Sequence, residues 1–212
     1  MMVGMNQYLT AQPLVFLFLI CAGTACVPSG LGGPGDDDDS VGARPGEALL
    51  EFHTTLGSFD VEMLPQAAPI TSANFLAYVD EGFYDGADGL GATVFHRVIA
   101  GFMIQGGGQT AAGAEKNTHS AIINEAATSG LSNSRGTVAM ARTDNPNSAT
   151  AQFFINVVDN DFLDAAEGND GYAVFAVVTD GMETVDEIAA VSTNSADEPT
   201  EPVVIEQVVR VD

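Results

Sequence analysis

The stretch FHRVIAGFMIQGGG, residues 95–108, holds two short β-like runs, Thr93 to Val98 and Phe102 to Gln105, on either side of Gly101. Successive side chains of a strand face opposite ways. Phe95, Arg97 and Ile99 are therefore expected on one face, with His96 and Val98 on the other. An arginine among apolar neighbours has to be exposed on one side or paired. Three glycines end the stretch, and they read as turn residues. A glycine also lets another group come close to the backbone.

Outward from this stretch, similar short runs recur. Ala48 to Thr55 and Ser58 to Leu64 flank Leu56-Gly57 with alternating apolar positions, a β-hairpin pattern. Further runs are Thr137 to Arg142, Gln152 to Val157, Tyr172 to Val178 and Val203 to Val211. A helix is expected over Thr71 to Tyr84, where Phe75, Leu76 and Val79 have helical spacing and Thr71 or Ser72 can cap. A second is expected over Met182 to Val191. Many short strands with few helices indicate a mainly β fold, either a closed antiparallel barrel or a sandwich. Two helices can plug the open ends of a barrel.

Charge narrows the function. The chain of 212 residues has six basic side chains against 29 acidic ones, a net charge of -23. Nucleic-acid binding needs a basic face, and anionic lipid surfaces repel such a chain. Setting aside Asp36 to Asp39 and Arg44 leaves about -20 from Glu47 onward. With 46% hydrophobic residues, the chain has enough apolar material for one domain.

The amino-terminal part is different. Residues 1–25 carry no charged side chain, and Leu14 to Ile20 form a compact apolar run too short to span a bilayer. Gly23, Thr24 and Ala25 are the small residues of an export-signal cleavage region. No Lys or Arg precedes the run. Both cysteines, Cys21 and Cys26, lie here, and Gly23-Thr24-Ala25-Cys26 resembles a bacterial lipoprotein signal in which the cysteine is acylated. Residues 27–46, rich in Gly, Pro and Asp, read as a flexible tether. The expected organisation is a signal over 1–26, a tether over 27–46 and one domain over 47–212. The protein is expected to be exported to the periplasm or cell envelope and held there as a lipoprotein, with plain secretion and an uncleaved anchor as the alternatives. Its only membrane contact would be this anchor.

The chemistry-bearing residues of the domain are Arg97, Phe102, Met103 and Gln105, then Met140-Ala141-Arg142 with Ala151-Gln152-Phe153-Phe154-Ile155, then Phe162-Leu163 and Tyr172. This inventory suits an apolar pocket with a few fixed hydrogen-bond donors. It contains no cysteine nucleophile, no Gly-x-Ser-x-Gly turn and no His-Glu-x-x-His metal site. His53, His96 and His119 have no ligand-like spacing. Asp85, Asp88, Asp159, Asp161 and Asp164 fit no calcium-loop pattern and read as turn residues. Phe95, Phe153, Val98 and Ile155 read as core.

FHRVI-x-GFMIQGGG, with MAR and AQFFINV downstream, resembles the cyclophilin-type peptidyl-prolyl isomerases, and most of all their bacterial exported members. The resemblance covers about Glu47 to Asp212. It implies a closed eight-stranded antiparallel barrel capped by two α-helices, and rotation about the bond that precedes proline. No cofactor or metal is then needed. By motif, Arg97 would be the catalytic cation and Gln105 would hold it or a substrate carbonyl. Phe102, Met103, Phe154 and Leu163 would line the proline pocket. Ala141 and Gln152 would contact residues before proline, and Phe162 and Tyr172 would complete the rim. Phe162 stands where many members have tryptophan, so cyclosporin-type cyclic peptides are expected to bind weakly. Tyr172 replaces a histidine common in eukaryotic members. Partners would be proline-containing unfolded or nascent exported proteins, bound by a monomer. A proline-binding chaperone or scaffold with incidental turnover is the alternative. A sugar-binding barrel is disfavoured by the absence of tryptophan.

Overall fold

The computed structural model describes residues 48–211. The signal, tether and Cys26 expectations lie outside the described residues. Eight strands occur in chain order: β1 (Leu49–Thr54), β2 (Gly57–Met63), β3 (Thr93–Ile99), β4 (Met103–Thr110), β5 (Thr137–Met140), β6 (Phe153–Asn156), β7 (Val174–Asp180) and β8 (Ile205–Val211). The helices are α1 (Pro69–Asp80), α2 (Ala126–Ser129) and α3 (Met182–Ala189). All eight strand runs read in the sequence are present. The short α2 and a 3-10 turn at Asp161–Leu163 are additions.

The strands form one antiparallel sheet in the order β3-β4-β6-β5-β7-β2-β1-β8. The sheet curls until its two edge strands meet, but the barrel is not fully closed. A single bridge, Val94 to Val204, and the bond from Phe95 N to Val203 O (3.0 Å) join β3 to the β8 side. The closed barrel expected from the sequence is thus a curled sheet with a narrow seam.

Alternation along the strands separates two apolar layers. Ile104, Val138, Phe153, Ile155 and Phe175 point into the main core with Phe52, Phe59 and Phe95. Their neighbours Met103, Ala139, Phe154 and Val174 point outward and form a second, smaller cluster. Phe75, Tyr78 and Val79 of α1, and Val185 and Ile188 of α3, fill the main core. Both expected helices therefore act as plugs. Aromatic rings dominate the interior: Phe52 stacks on Phe59 at 5.1 Å, and Phe75 meets Phe153 edge-on at 5.4 Å. Each such fully buried ring contributes roughly 2–3 kcal/mol.

The start and end of α1 differ from the sequence expectation. Pro69 occupies the first turn, and Thr71 and Ser72 are buried inside the helix rather than capping it. The free N–H groups of Ile70 and Thr71 donate instead to Glu125 (3.2 and 2.8 Å), and the Thr71 hydroxyl does the same at 2.7 Å. A carboxylate from a distant loop thus does the work of a local cap, and it suits the positive end of the helix dipole. The helix stops at Asp80 because Gly82 turns left-handed at φ +67°, a routine terminator.

The loop over 85–92 is held by Lys116, the sole lysine of the chain. Its Nζ donates to Phe83 O (2.6 Å), Gly91 O (2.8 Å) and Asp88 Oδ1 (3.0 Å), and lies 4.6 Å from the Phe83 ring centre. Its side chain is only 2% exposed. A buried cation of this kind is tolerable only because every donor is occupied.

Candidate active site

The outward-facing cluster sits on one row across the sheet. Arg97 of β3 pairs with Gln105 of β4, Gln105 with Phe154 of β6, Phe154 with Ala139 of β5, and Ala139 with Val174 of β7. The face of Arg97 depends on an irregularity. Phe95 pairs with Gly106 and Arg97 with Gln105, so His96 is an extra residue in β3. This bulge shifts the alternation. Phe95 and Val98 are both buried, whereas Arg97 turns outward. Simple alternation had placed Phe95 and Arg97 on one face, and the bulge overturns it.

A cleft of about 130 Å³ opens over this row. Arg97, Phe102, Met103, Gln105, Ala141 and Arg142 line it, together with Phe154, Leu163 and Tyr172. Met103 and Phe154 make a buried apolar floor. Phe154 meets Tyr172 edge-on at 5.6 Å. Arg97 is 43% exposed in its side chain, and its Nε lies 3.8 Å from Asp197 Oδ2. That separation is attraction without a hydrogen bond. Among the described residues its terminal nitrogens have no partner, so they remain available.

Gln105 does not hold Arg97. Its Nε2 donates to Gln152 Oε1 at 2.9 Å, so Gln152 stands behind Gln105 and does not line the cleft. Gly108 makes room for it, since a Cβ there would lie 2.5 Å from the Gln152 side chain. Gly106, Gly107 and Gly108 are thus strand residues that admit neighbours, not the turn expected from sequence. Phe162 is 67% exposed and stacks on Phe102 at 5.7 Å. It forms an outer rim rather than a wall. The other sequence-predicted residues all meet at the cleft.

The sequence model of the family described as "Cyclophilin type peptidyl-prolyl cis-trans isomerase/CLD" matches residues 49–210. The chain belongs to the cyclophilin-type isomerase family. It is 51% identical to peptidyl-prolyl cis-trans isomerase B of Escherichia coli (strain K12), over 76% of this chain and 98% of that protein. It is 52% identical to a peptidyl-prolyl cis-trans isomerase of Acinetobacter baylyi, over 69% of this chain and 74% of that one. A cyclophilin-type isomerase from Cryptosporidium parvum has a similar crystal structure. It has TM-score 0.61 and 26% identity, covering 78% of this chain and 98% of the other. The same C. parvum protein was also crystallised in the presence of the dipeptide Ala-Pro, with TM-score 0.60, 26% identity, and coverage of 77% and 99%.

In this cyclophilin the cleft is supported by residues that sequence reading missed. Asn133, Asn156 and Asn160 are buried and joined side chain to side chain (3.3 and 2.8 Å). The Asn160 amide donates to Phe102 O at 3.0 Å. The Asn133 amide donates to Leu163 O and Tyr172 O, both at 3.3 Å. Three segments that carry cleft side chains are tied together by amides, each satisfied as burial demands.

Asp164 anchors the same network. Its burial raises the carboxyl pKa, but the Ser132 hydroxyl and the N–H groups of Asn133 outweigh that and hold it below the usual range. A depressed folded-state pKa gives stability that is present above the unfolded value near 3.9 and is lost as pH falls through the folded value. Thermal melts of wild type and Asp164→Asn should show the wild type more stable at pH 7. The gap should close below about pH 4. A gap that stays constant down to pH 2 would remove the charge from this role.

None of the three histidines lines the cleft. His53 lies 3.4 Å from Glu51 and His119 lies 3.0 Å from Glu81. Among the described residues no three metal-ligating side chains converge.

Proposed function

We propose that this protein accelerates rotation about X-Pro peptide bonds, with Arg97 as the stabilising cation. The supporting observation is a half-exposed guanidinium, with terminal nitrogens unpartnered among the described residues, beside the apolar floor of a cleft of about 130 Å³. A planar amide resists rotation by about 18–20 kcal/mol, and uncatalysed exchange takes tens to hundreds of seconds. Twisting breaks the resonance and concentrates the lone pair on the proline nitrogen. That nitrogen becomes an acceptor only in the twisted state. A fixed N–H donor therefore stabilises the transition state more than either planar ground state. No proton is transferred and no covalent bond breaks. Met103, Phe154, Phe102 and Leu163 hold the ring, and Gln105, fixed by Gln152, presents its remaining polar atoms to the peptide.

The full chain should accelerate cis–trans exchange of a short Ala-Pro peptide followed by magnetisation-exchange NMR. Exchange no faster than in buffer would refute the activity.

The substrates would be proline-containing segments of exported proteins. Support for export comes from the uncharged apolar segment ahead of Cys26 and the charged tether that follows. In the bacterial host, labelled palmitate should enter the wild-type chain and not Cys26→Ser. Label in both, or in neither, would overturn the lipid anchor.

A further inference from the structure

Five lysine and arginine side chains are described, and four of them lie within 4 Å of a carboxylate. Lys116 meets Asp88 at 2.8 Å, Arg135 meets Asp186 at 2.7 Å, and Arg97 and Arg210 meet Asp197 and Asp80 at 3.8 Å. Arg142 is the exception. In a chain with 29 acidic residues, it has no carboxylate partner among the described residues. Asp144, two residues along the chain, and Asp170, next to the Gly171 that accepts from it, both lie beyond 4 Å.

The guanidinium is nevertheless fixed. Nε donates to Gly171 O at 3.0 Å and Nη1 donates to Thr143 O at 2.9 Å. The carbon of the guanidinium lies 4.4 Å from the centre of the Tyr172 ring. Two carbonyls and an aromatic face thus set its plane, and Tyr172 is itself braced by Phe154. This leaves Nη2, with two donors, uncommitted at the wall of the cleft. An arginine prepared in this way binds a carboxylate with little further loss of side-chain freedom.

We infer that Arg142 is a specificity-determining residue that favours substrates with an acidic side chain next to the proline. The inference rests on the isomerase reading and adds a substrate class to it. The chain's overall charge opposes such a preference rather than supplying it. A domain near -20 repels anionic peptides at long range. A preference for them must then come from a local cation, and Arg97 is already faced by Asp197.

The test compares kcat/KM for peptides Ala-Xaa-Pro-Phe and Ala-Ala-Pro-Xaa, with Xaa as Glu, Gln or Ala, at low and at 0.5 M salt. At low salt the Glu-to-Gln ratio should be about three to five in at least one position. It should fall toward one as salt screens the pair. In Arg142→Gln the same ratio should drop to one or below. A ratio of one or less in wild type at both positions would overturn the inference, and so would a preference that survives in Arg142→Gln. The salt series on wild type needs no variant, so a poorly folded mutant does not block the test. Turnover of the Ala peptide separates the two readings. Its absence defeats the isomerase function, whereas turnover without a Glu preference defeats only the role of Arg142.

Discussion

Arg97→Ala is expected to lower kcat/KM for an X-Pro peptide by about a hundredfold, or about 2.7 kcal/mol of transition-state stabilisation. That is the scale on which a single preorganised donor acts. The donor meets its acceptor only in the twisted amide, so kcat should fall with kcat/KM and KM should barely move. Stability should hardly change. The side chain is half exposed, and its one charged neighbour, Asp197, is beyond hydrogen-bond range. Activity lost together with folding would point to a structural role. Equal rates in the two proteins would remove Arg97 from the mechanism. Arg97→Lys keeps the charge but loses the planar fork, and should recover only part of the rate.

The second large effect concerns folding. Lys116→Met should destabilise the domain by about 3–5 kcal/mol. The change leaves the carbonyls of Phe83 and Gly91 and the carboxylate of Asp88 without their shared donor. For a domain of this size that is a fall in melting temperature on the order of 10 °C. Removing both charges in Lys116→Met, Asp88→Leu should cost less than the single change, because no uncompensated carboxylate remains. A loss under about 2 °C in the single variant would mean that water replaces the ammonium group at little cost.

The strands and the cleft's main side chains could be read from the chain because both depend on local pattern. Short apolar, β-like runs marked every strand, and the first two alternate. The ordered motif from Phe95 to Gly108, with the later Ala141 and Phe154, brought together residues that the fold does place around one cleft. What stayed hidden depends on distant partners or on ladder irregularity. Asn133, Asn156 and Asn160 look like ordinary loop and strand-end residues, and their amides acquire meaning only when three segments converge. Glu125 lies 54 residues from the helix it caps, and nothing in its own neighbourhood announces that. Arg142 stood beside Ala141 in the sequence with nothing to distinguish a surface charge from a cleft wall. Only the carbonyls and the aromatic ring that the fold brings to its guanidinium decide. The alternation of β3 misled because an extra residue changes parity without changing composition.

That extra residue lets two side chains only two positions apart serve opposite sides of the sheet. An uninterrupted β3 of the same length would carry Phe95 and Arg97 on one face. Either the ring would be driven into solvent, or the guanidinium would be driven into the aromatic interior. The outward aim of Arg97 is thus held by the place at which one peptide unit is looped out of the ladder, not by any side chain around it.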